Sequence, residues 1–391
     1  MTRTMRILHT ADWHVGKKLG RFDRLDEAKD ALGEVVRIAE ENSVDLVIVA
    51  GDLFDRALPP FAVMGVVFEA LQQLADTGAT VVAIAGNHDS AELFRVLKPY
   101  FATSRIHLAD KALPPDRGGV IEVPSRDGKT TAQVALFPFL HEAKVSELME
   151  PAEEWHKDYA DRIKRICSLY GDHMSKNSKP DTVEVLVGHF MINGAIPSGS
   201  ERGLHIGEAF AAETQAIPSD VHYGALGHIH LCQEAPGSAV KACYAGSLLQ
   251  LDFGEIDQEK FVLLVDLEPE HPADVKKFPI TKGRKLLRAT GTLDGLRERA
   301  GAGEFGDAIL DVSVLTDGPV AGLADEVREF LPDALYVRAE YDRGEVDVSD
   351  REGRSLDDLY GEYFRTRHGV DPKDELVSAF RSLVAEVGVD W

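Results

Sequence analysis

The chain has no apolar run long enough to cross a membrane and has few cysteines. None of its stretches stays apolar for the roughly 18 residues that a membrane-spanning helix needs. The first residues lead directly into a predicted strand, so we expect no signal peptide. Cys167, Cys232 and Cys243 form no C-x-x-C pair, and we expect free thiols rather than a disulfide or a zinc site. These absences favour a cytoplasmic protein.

A basic excess is also absent. The sequence has 43 Lys and Arg against 66 Asp and Glu, which gives a formal net charge of -23. A protein that binds nucleic acid without a partner usually has more Lys and Arg than Asp and Glu. Either the substrate is therefore not nucleic acid, or bound metal ions and a partner supply the missing positive potential.

The length of 391 residues and the hydrophobic content of 44% indicate a chain of two or three domains. Strands and helices alternate in the N-terminal part, which predicts an α/β fold with a sheet covered by helices. The pattern changes near residue 280. We predict a main domain over residues 1–281, a small α/β domain over residues 282–343 and a pair of helices within residues 344–391.

Five short motifs share one pattern, in which Asp, Asn or His follows a predicted strand. In chain order they are Asp12-Trp13-His14, Gly51-Asp52, Gly86-Asn87-His88-Asp89, Gly188-His189 and Gly227-His228-Ile229-His230. Open α/β sheets bind ligands at the carboxyl ends of their strands, so we expect these side chains to converge. Mixed imidazole, carboxylate and amide ligands suit manganese, iron or zinc better than magnesium or calcium. The motifs together contain enough donors for two metal ions.

A two-metal site gives each residue of these motifs a possible role. Two divalent ions about 3.5–4 Å apart can clamp both the attacking and the leaving oxygen of a phosphoryl displacement. Such a site needs a bridging carboxylate, for which we choose Asp52. If Asn87 is a ligand, His88 is available as an acid–base group or to stabilise the transition state. Asp89 then has a natural role in orienting that imidazole. Asp55 could do similar work or form only a surface salt bridge.

Each motif alone also has a purely structural explanation. Asp-x-His, Gly-Asp and His-x-His segments occur in proteins without metals, so the functional hypothesis depends on five motifs in order, each at a predicted strand end. The loop at 197–203 is rich in glycine and serine and is either a plain surface loop or one that faces the substrate. His205 lies just beyond it and is assigned no role.

These motifs resemble those of the calcineurin-like metallophosphoesterases. Within that family the resemblance covers nearly the whole chain and is to the nuclease subunits of bacterial DNA-repair complexes. The segments that carry it are His9-Thr10-Ala11-Asp12-Trp13-His14-Val15-Gly16, Gly51-Asp52-Leu53-Phe54-Asp55, Ser200-Glu201-Arg202, Ala225-Leu226-Gly227-His228-Ile229-His230 and Tyr244-Ala245-Gly246-Ser247.

The resemblance implies a metallophosphoesterase sandwich with a small α/β capping domain and C-terminal helices. It implies catalysis by His88, supported by Asp89, and two metal ions that share Asp52. One ion takes Asp12, His14, Asp52 and His230, and the other takes Asp52, Asn87, His189 and His228. The predicted substrate-binding residues are Ser200, Glu201 and Arg202.

The resemblance further implies manganese-dependent exonuclease and endonuclease activity on double-stranded DNA, in a nucleoid-associated protein of the bacterial cytoplasm. It also implies an ATPase partner and a homodimer. Related archaeal and eukaryotic nucleases have a histidine where this chain has Asp55. A protein serine/threonine phosphatase would share the metals but usually has glutamate in place of Asp89. A small-molecule phosphodiesterase could end soon after His230, and a non-catalytic scaffold is the remaining rival.

Two surfaces are candidates for protein contacts. Helices predicted at Phe61–Ala75 and Ala91–Phe101 have more apolar surface than one sheet face needs, which favours a dimer over a purely internal core. In the tail, Ser355 and Asp358 predict a capped helix, and Pro372 predicts the first turn of a second. The apolar faces of these two helices either pack on the small domain or, as we favour, dock on the ATPase partner.

Overall fold

The computed structural model describes residues 4–140, 159–201, 211–341 and 355–387. The chain divides into two compact units. The first comprises Met1–Leu287 with Asp307–Ile309, and the second comprises Arg288–Gly306 with Leu310–Trp391. The predicted division into three parts stays a prediction, and its second boundary, at residue 343, lies outside the described residues.

Eight α-helices lie within the described ranges. They are α1 Leu25–Glu41, α2 Phe61–Asp76, α3 Ala91–Phe101, α4 Tyr159–Asn177, α5 Leu293–Gly301, α6 Leu323–Phe330, α7 Leu356–His368 and α8 Asp374–Val387. The sequence also predicts a long, charged helix over residues 152–174, and its start at residue 152 lies outside the described residues. The predicted start of α8 at Pro372 is wrong. The carbonyl of Lys373 accepts the first hydrogen bonds of this helix, from Leu376 and Val377, so the proline precedes it.

The first unit contains a six-stranded mixed sheet. Its spatial order is Asp274–Ile280, Lys260–Leu267, Met5–Thr10, Leu46–Val49, Thr80–Ile84 and Ile106–Ala109. The last four strands run parallel to one another. The first two are antiparallel to their neighbours. The edge strand at 274–280 was not predicted, because most of its side chains face solvent and its sequence lacks an apolar alternation.

A second six-stranded sheet lies in the same unit. Its spatial order is Gln233–Glu234, Ala242–Tyr244, Tyr223–Gly227, Thr182–His189, Thr131–Phe137 and Val120–Pro124. The four inner strands run parallel to one another. The strand at each edge is antiparallel to the inner strand beside it. Two-stranded pairings join Lys18–Leu19 to Phe22–Asp23 and Met191–Ile192 to Ala211–Ala212.

The two sheets form a sandwich that is covered by helices on both sides. Alternate residues of the first strand show this, since Ile7 lies in the core between the sheets and Leu8 lies in the core under α1, α2 and α3. A third core packs α4 against the outer face of the second sheet, through Ile163, Ile166 and Tyr170. The family fold implied by the sequence is therefore confirmed as a mixed α/β arrangement of two sheets.

A small sheet of three strands lies mostly in the second unit. In spatial order the strands are Leu286–Gly291, Ile309–Leu315 and Ala334–Glu340. The α5 helix connects the first strand to the second, and α6 connects the second to the third. In the tail, the rings of Tyr360 in α7 and Phe380 in α8 stack with centroids 4.2 Å apart. The two tail helices therefore pack against each other.

Candidate metal centre

The five motifs converge at one end of the sandwich. Three of them follow parallel strands of the first sheet, and two follow parallel strands of the second. The carboxyl ends of these strands open on the same side, as expected for a ligand site in this class of fold. The predicted ligands and His88 are all buried, and each of these residues is exposed by 8% or less. Burial of so many polar groups requires that they satisfy one another or a bound ion.

Backbone strain is concentrated in these motifs. Asp12, His14 and Asp52 have φ values of 49°, 43° and 52°. His228 has a φ of 91°. Residues with side chains rarely adopt this left-handed region, and each instance costs on the order of 1–3 kcal/mol. Strain that recurs at the ends of several strands is typical of a functional site, because the rest of the fold must hold it in place.

The glycines of two motifs allow the strand ends to approach closely. A Cβ atom on Gly51 would lie 2.2 Å from Nδ1 of His189, and one on Gly86 would lie 2.1 Å from Oδ1 of Asp52. Either contact would displace a predicted ligand. Glycine is therefore required in the Gly-Asp and Gly-Asn pairs of this site, because any side chain there would clash with a predicted ligand.

The first group of potential ligands consists of Asp12, His14 and His230. One donor atom from each lies within 4.8 Å of the others. The Nε2 atoms of the two histidines are 3.1 Å apart. Two imidazole nitrogens this close need a shared proton or a cation between them. The group thus fits a divalent metal with nitrogen and oxygen ligands.

The second group is formed by Asp12, Asp52 and His189, whose donor atoms also lie within 4.8 Å of one another. The amide oxygen of Asn87 lies 2.9 Å from Nε2 of His189 and 3.0 Å from Nδ1 of His228. Nδ1 of His189 is 2.7 Å from the carbonyl oxygen of Ala50, to which it donates, so Nε2 is the nitrogen that faces the cluster.

Asp12 belongs to both groups, and Asp52 of the second group also faces His14 of the first. The Oδ2 atom of Asp52 is 3.6 Å from Nε2 of His14 and 3.5 Å from Nε2 of His189. Its Oδ1 atom accepts a hydrogen bond of 2.8 Å from the backbone N–H of His88. One oxygen is therefore held by the backbone, and the other faces both groups of potential ligands.

The charges of the site are strongly coupled. Burial raises the pKa of Asp12 to about 7. Burial also raises the pKa of Asp52, but attraction to His189, together with its hydrogen bond, and to His14 outweighs this, so the pKa lies well below its ordinary value. Burial lowers the pKa of His189, but attraction to Asp52 raises it more, to about 9. Buried carboxylates in this setting depend on nearby positive charge, which divalent cations supply.

His88 is oriented by the backbone of a neighbouring motif. Its Nδ1 lies 2.8 Å from the carbonyl oxygen of Asp55 and donates to it, and its Nε2 lies 3.9 Å from Oδ2 of Asp52. The carboxylate of Asp55 forms a 3.4 Å ion pair with Lys17 and lies within 4.8 Å of donor atoms of His14 and His88. The Asp55 segment thus points the second nitrogen of the His88 imidazole toward the cluster.

Asp89 stabilises the backbone of its own motif and of the motif that contains Asp52. Its carboxylate accepts hydrogen bonds from the backbone N–H groups of Leu53, Phe54 and Gly86, at 3.2, 3.0 and 2.9 Å. These bonds connect the motif that contains Asp52 to the motif that contains His88. The predicted role of Asp89 in orienting the imidazole stays a prediction.

The predicted substrate loop reaches the site at His230. The Oγ atom of Ser200 lies 2.5 Å from Nδ1 of His230, and the carboxylate of Glu201 accepts the backbone N–H of His230 at 3.0 Å. Arg202 and His205 lie outside the described residues. Sequence reasoning missed Glu255 and Lys260, which are buried behind this loop. No motif marks them, since isolated charged residues give no sign that they will be buried.

A phosphoesterase profile matches the part of the chain that contains all five motifs. The profile is that of the calcineurin-like phosphoesterase family and matches residues 5–232. The chain belongs to this family. With the buried Asp and His clusters, it is a metal-dependent phosphoesterase. Within the part of the chain that the structure describes, no helix has the length and apolar character needed to span a bilayer.

Particular relatives are similar over most of their length. The chain is 29% identical to the D subunit of the nuclease SbcCD from Bacillus subtilis (strain 168), over 98% of each chain. It is 28% identical to the D subunit of the nuclease SbcCD from Escherichia coli (strain K12), over 95% of this chain and 94% of the relative. The protein of the same name from Staphylococcus epidermidis is 28% identical over 72% of this chain and 71% of its own.

Proposed function

We propose that this chain is the nuclease subunit of an SbcCD-type complex in the bacterial cytoplasm. It hydrolyses phosphodiester bonds at double-stranded DNA ends and in hairpins, as an exonuclease and an endonuclease, in DNA repair and recombination. The observation that carries the proposal is the position of Asp52 between His14 and His189, one buried histidine from each group of potential ligands, in a chain similar over nearly its full length to proteins named as nuclease subunits.

The cofactor in this proposal is a pair of divalent ions, most consistent with Mn²⁺ because the donors mix imidazole, carboxylate and amide groups. Asp52 is the shared ligand. The remaining ligands of one ion are Asp12, His14 and His230, and those of the other are Asn87, His189 and His228. When bound, such ions neutralise the scissile phosphate and clamp its attacking and leaving oxygens.

The chain's own contribution to the chemistry centres on His88. Because Nδ1 donates to the Asp55 carbonyl, Nε2 is the nitrogen that faces the ligand cluster. A protonated His88 can donate from Nε2 to a phosphoryl oxygen or transfer that proton to the leaving oxygen. Asp89 supports this arrangement by joining the two motifs that contain His88 and Asp52. Ser200, Glu201 and Arg202 form the proposed substrate loop.

The proposed partners are double-stranded DNA, an SbcC-type ATPase and a second copy of this chain. The tail supports the ATPase contact, because Tyr363, Val370 and Leu376 are 52%, 61% and 43% exposed although they are large and apolar. Phe61 in α2 and Tyr100 in α3 are 90% and 75% exposed, which supports a dimer formed by these helices. A partner that supplies basic surface also reconciles DNA binding with the net charge of -23.

The decisive experiment compares substrates with and without manganese. The purified full chain, alone and with SbcC, is incubated with linear duplex DNA, hairpin DNA and a phosphopeptide. We expect cleavage of both DNA substrates that depends on added Mn²⁺ and is lost with a chelator. Release of phosphate from the phosphopeptide without DNA cleavage would assign the chain to the phosphatases, and inactivity toward all three would support a scaffold.

A further inference from the structure

A buried chain of polar groups connects one proposed metal ligand to an ion pair. Ser200 donates a hydrogen bond from Oγ to Oε1 of Glu255, and the same Oγ lies 2.5 Å from Nδ1 of His230. The hydroxyl proton of Ser200 is used in the bond to the carboxylate. The serine oxygen can therefore only accept from His230, so the proton of the imidazole is on Nδ1. The Nε2 lone pair then faces His14 and Asp12.

The carboxylate at the end of this chain is fixed by a lysine. Nζ of Lys260 donates to Oε2 of Glu255 at 2.6 Å and to Oγ of Ser247 at 2.9 Å. The Glu255 side chain is fully buried and that of Lys260 is 6% exposed. Breaking a buried pair is costly because it leaves one charge unpaired, so each member holds the other in place.

His230 is held at its backbone by the same group of residues. Oε1 of Glu201 accepts the His230 N–H at 3.0 Å, and Nζ of Lys260 donates to the His230 carbonyl at 3.3 Å. Its N–H, its carbonyl and its Nδ1 therefore all have partners inside the protein. Only Nε2 is directed at the ligand cluster.

We propose that Ser200 and Glu255 are positioning residues that hold the His230 imidazole with its Nε2 lone pair directed at the metal, and that Lys260 keeps Glu255 in place. The inference rests on the two-metal site proposed above. Metal-binding histidines commonly donate their second N–H to a carboxylate or a carbonyl, and loss of such a partner weakens metal binding about 10–100-fold. Here the Glu255 carboxylate acts through the Ser200 hydroxyl, and its Oε1 also lies 3.4 Å from Nδ1 of His230.

Ser198 provides a matched control. Its Oγ contacts Glu201 at 2.9 Å and Glu255 at 3.2 Å, in the same loop and beside the same carboxylates, but among the described residues it makes no hydrogen bond to His230 itself. Ser200→Ala removes the link to His230 without leaving a buried charge unpaired. Ser200→Thr keeps the hydroxyl. Glu255→Gln combined with Lys260→Met removes both buried charges together.

The experiment titrates the metal-free full chain with Mn²⁺ and follows the electron paramagnetic resonance signal of the free ion, while thermal unfolding of each metal-free variant checks the fold. We expect two ions in the wild type. Ser200→Ala and the double variant should weaken one ion about 10–100-fold and leave the other unchanged. Ser200→Thr and Ser198→Ala should bind as the wild type does.

Two results would count against the inference, and a third against the proposed function on which it rests. Unchanged binding of both ions by Ser200→Ala would show that the chain of contacts does not position His230. Equal weakening of both ions with a fall in unfolding temperature would indicate a purely structural role. A wild-type chain that takes up no manganese would instead overturn the metal site of the proposed function, which is a separate failure.

Discussion

At the scale of single residues, the site is defined by the directions in which a few atoms point. Oδ1 of Asp52 is occupied by a backbone N–H, and Oδ2 lies between two histidines. Nδ1 of His88 donates a hydrogen bond to the carbonyl of Asp55, and Nε2 faces the ligand cluster. These directions separate the proposed shared ligand, Asp52, from the proposed catalytic imidazole, His88, and the two residues should respond differently to substitution.

Asp52→Ala should abolish both manganese binding and nuclease activity, because one side chain would be lost from both proposed coordination shells. The measurement is a manganese titration of the metal-free chain together with the duplex DNA assay. Asp76→Ala, which changes an exposed carboxylate in α2, is the control and should behave as the wild type. Two ions bound with unchanged affinity in Asp52→Ala would show that Asp52 is not the bridge.

His88→Ala should keep most metal binding and most DNA binding while losing roughly 10²–10⁴-fold in cleavage rate, the usual contribution of a positioned acid–base group. Single-turnover cleavage and a manganese titration test the two halves of this expectation. His107→Ala, at an exposed position on the strand Ile106–Ala109, is the matched control. Near-normal turnover of His88→Ala, or loss of metal in parallel with activity, would contradict the assignment.

At the scale of elements, helices with regular apolar patterns form where expected, but their packing leaves some large apolar side chains exposed to solvent. In α2 and α3, Phe68 and Phe101 meet edge to face with centroids 5.4 Å apart. Phe61 and Tyr100 stay exposed on the same two helices. The internal core therefore uses only part of the apolar surface, and the remainder is available for a second copy.

Phe61→Glu combined with Tyr100→Glu should convert a dimer into a monomer, because two charges would be buried at the proposed interface. Light scattering at micromolar concentration measures the change. Val320→Glu alters an apolar residue that is 45% exposed elsewhere and should leave the dimer intact. A double variant that stays dimeric would place the interface on another surface, and a monomeric wild type would rule out a dimer that forms without a partner.

At the scale of the whole molecule, the two tail helices have little internal core. Ser355 caps α7 by accepting from the N–H of Asp358, as the sequence predicts, and Gly369 ends the helix in a left-handed conformation. The α7 and α8 helices meet through Tyr360 and Phe380. None of the side chains described between residues 355 and 381 is buried.

A chain that ends at residue 343 should stay folded and keep manganese-dependent nuclease activity but lose SbcC, because the removed helices carry exposed apolar side chains and no proposed ligand. Co-purification with SbcC and the duplex DNA assay test this. Tyr363→Glu with Leu376→Glu in the full chain should weaken the complex in the same direction. Normal recovery of SbcC with the shortened chain would contradict the role of the tail.

The sequence by itself determined most of the elements and the list of candidate ligands, because both depend on neighbours along the chain. Apolar periodicity predicted α2 and α3, and motif order identified which Asp and His residues gather. The edge strand Asp274–Ile280 was not predicted from the sequence. It is stabilised by backbone pairing with Lys260–Leu267 and not by an apolar alternation of its own.

Only the tertiary structure decided how the ligands are oriented. Glu255 lies 55 residues beyond Ser200, yet the two meet behind His230. No local pattern encodes such a contact, because it forms only after two sheets pack face to face and bring their strand ends to one side. Which oxygen of Asp52 faces the ligands and which nitrogen of His88 is available follow from the same packing, since backbone groups of other segments occupy the remaining atom of each side chain.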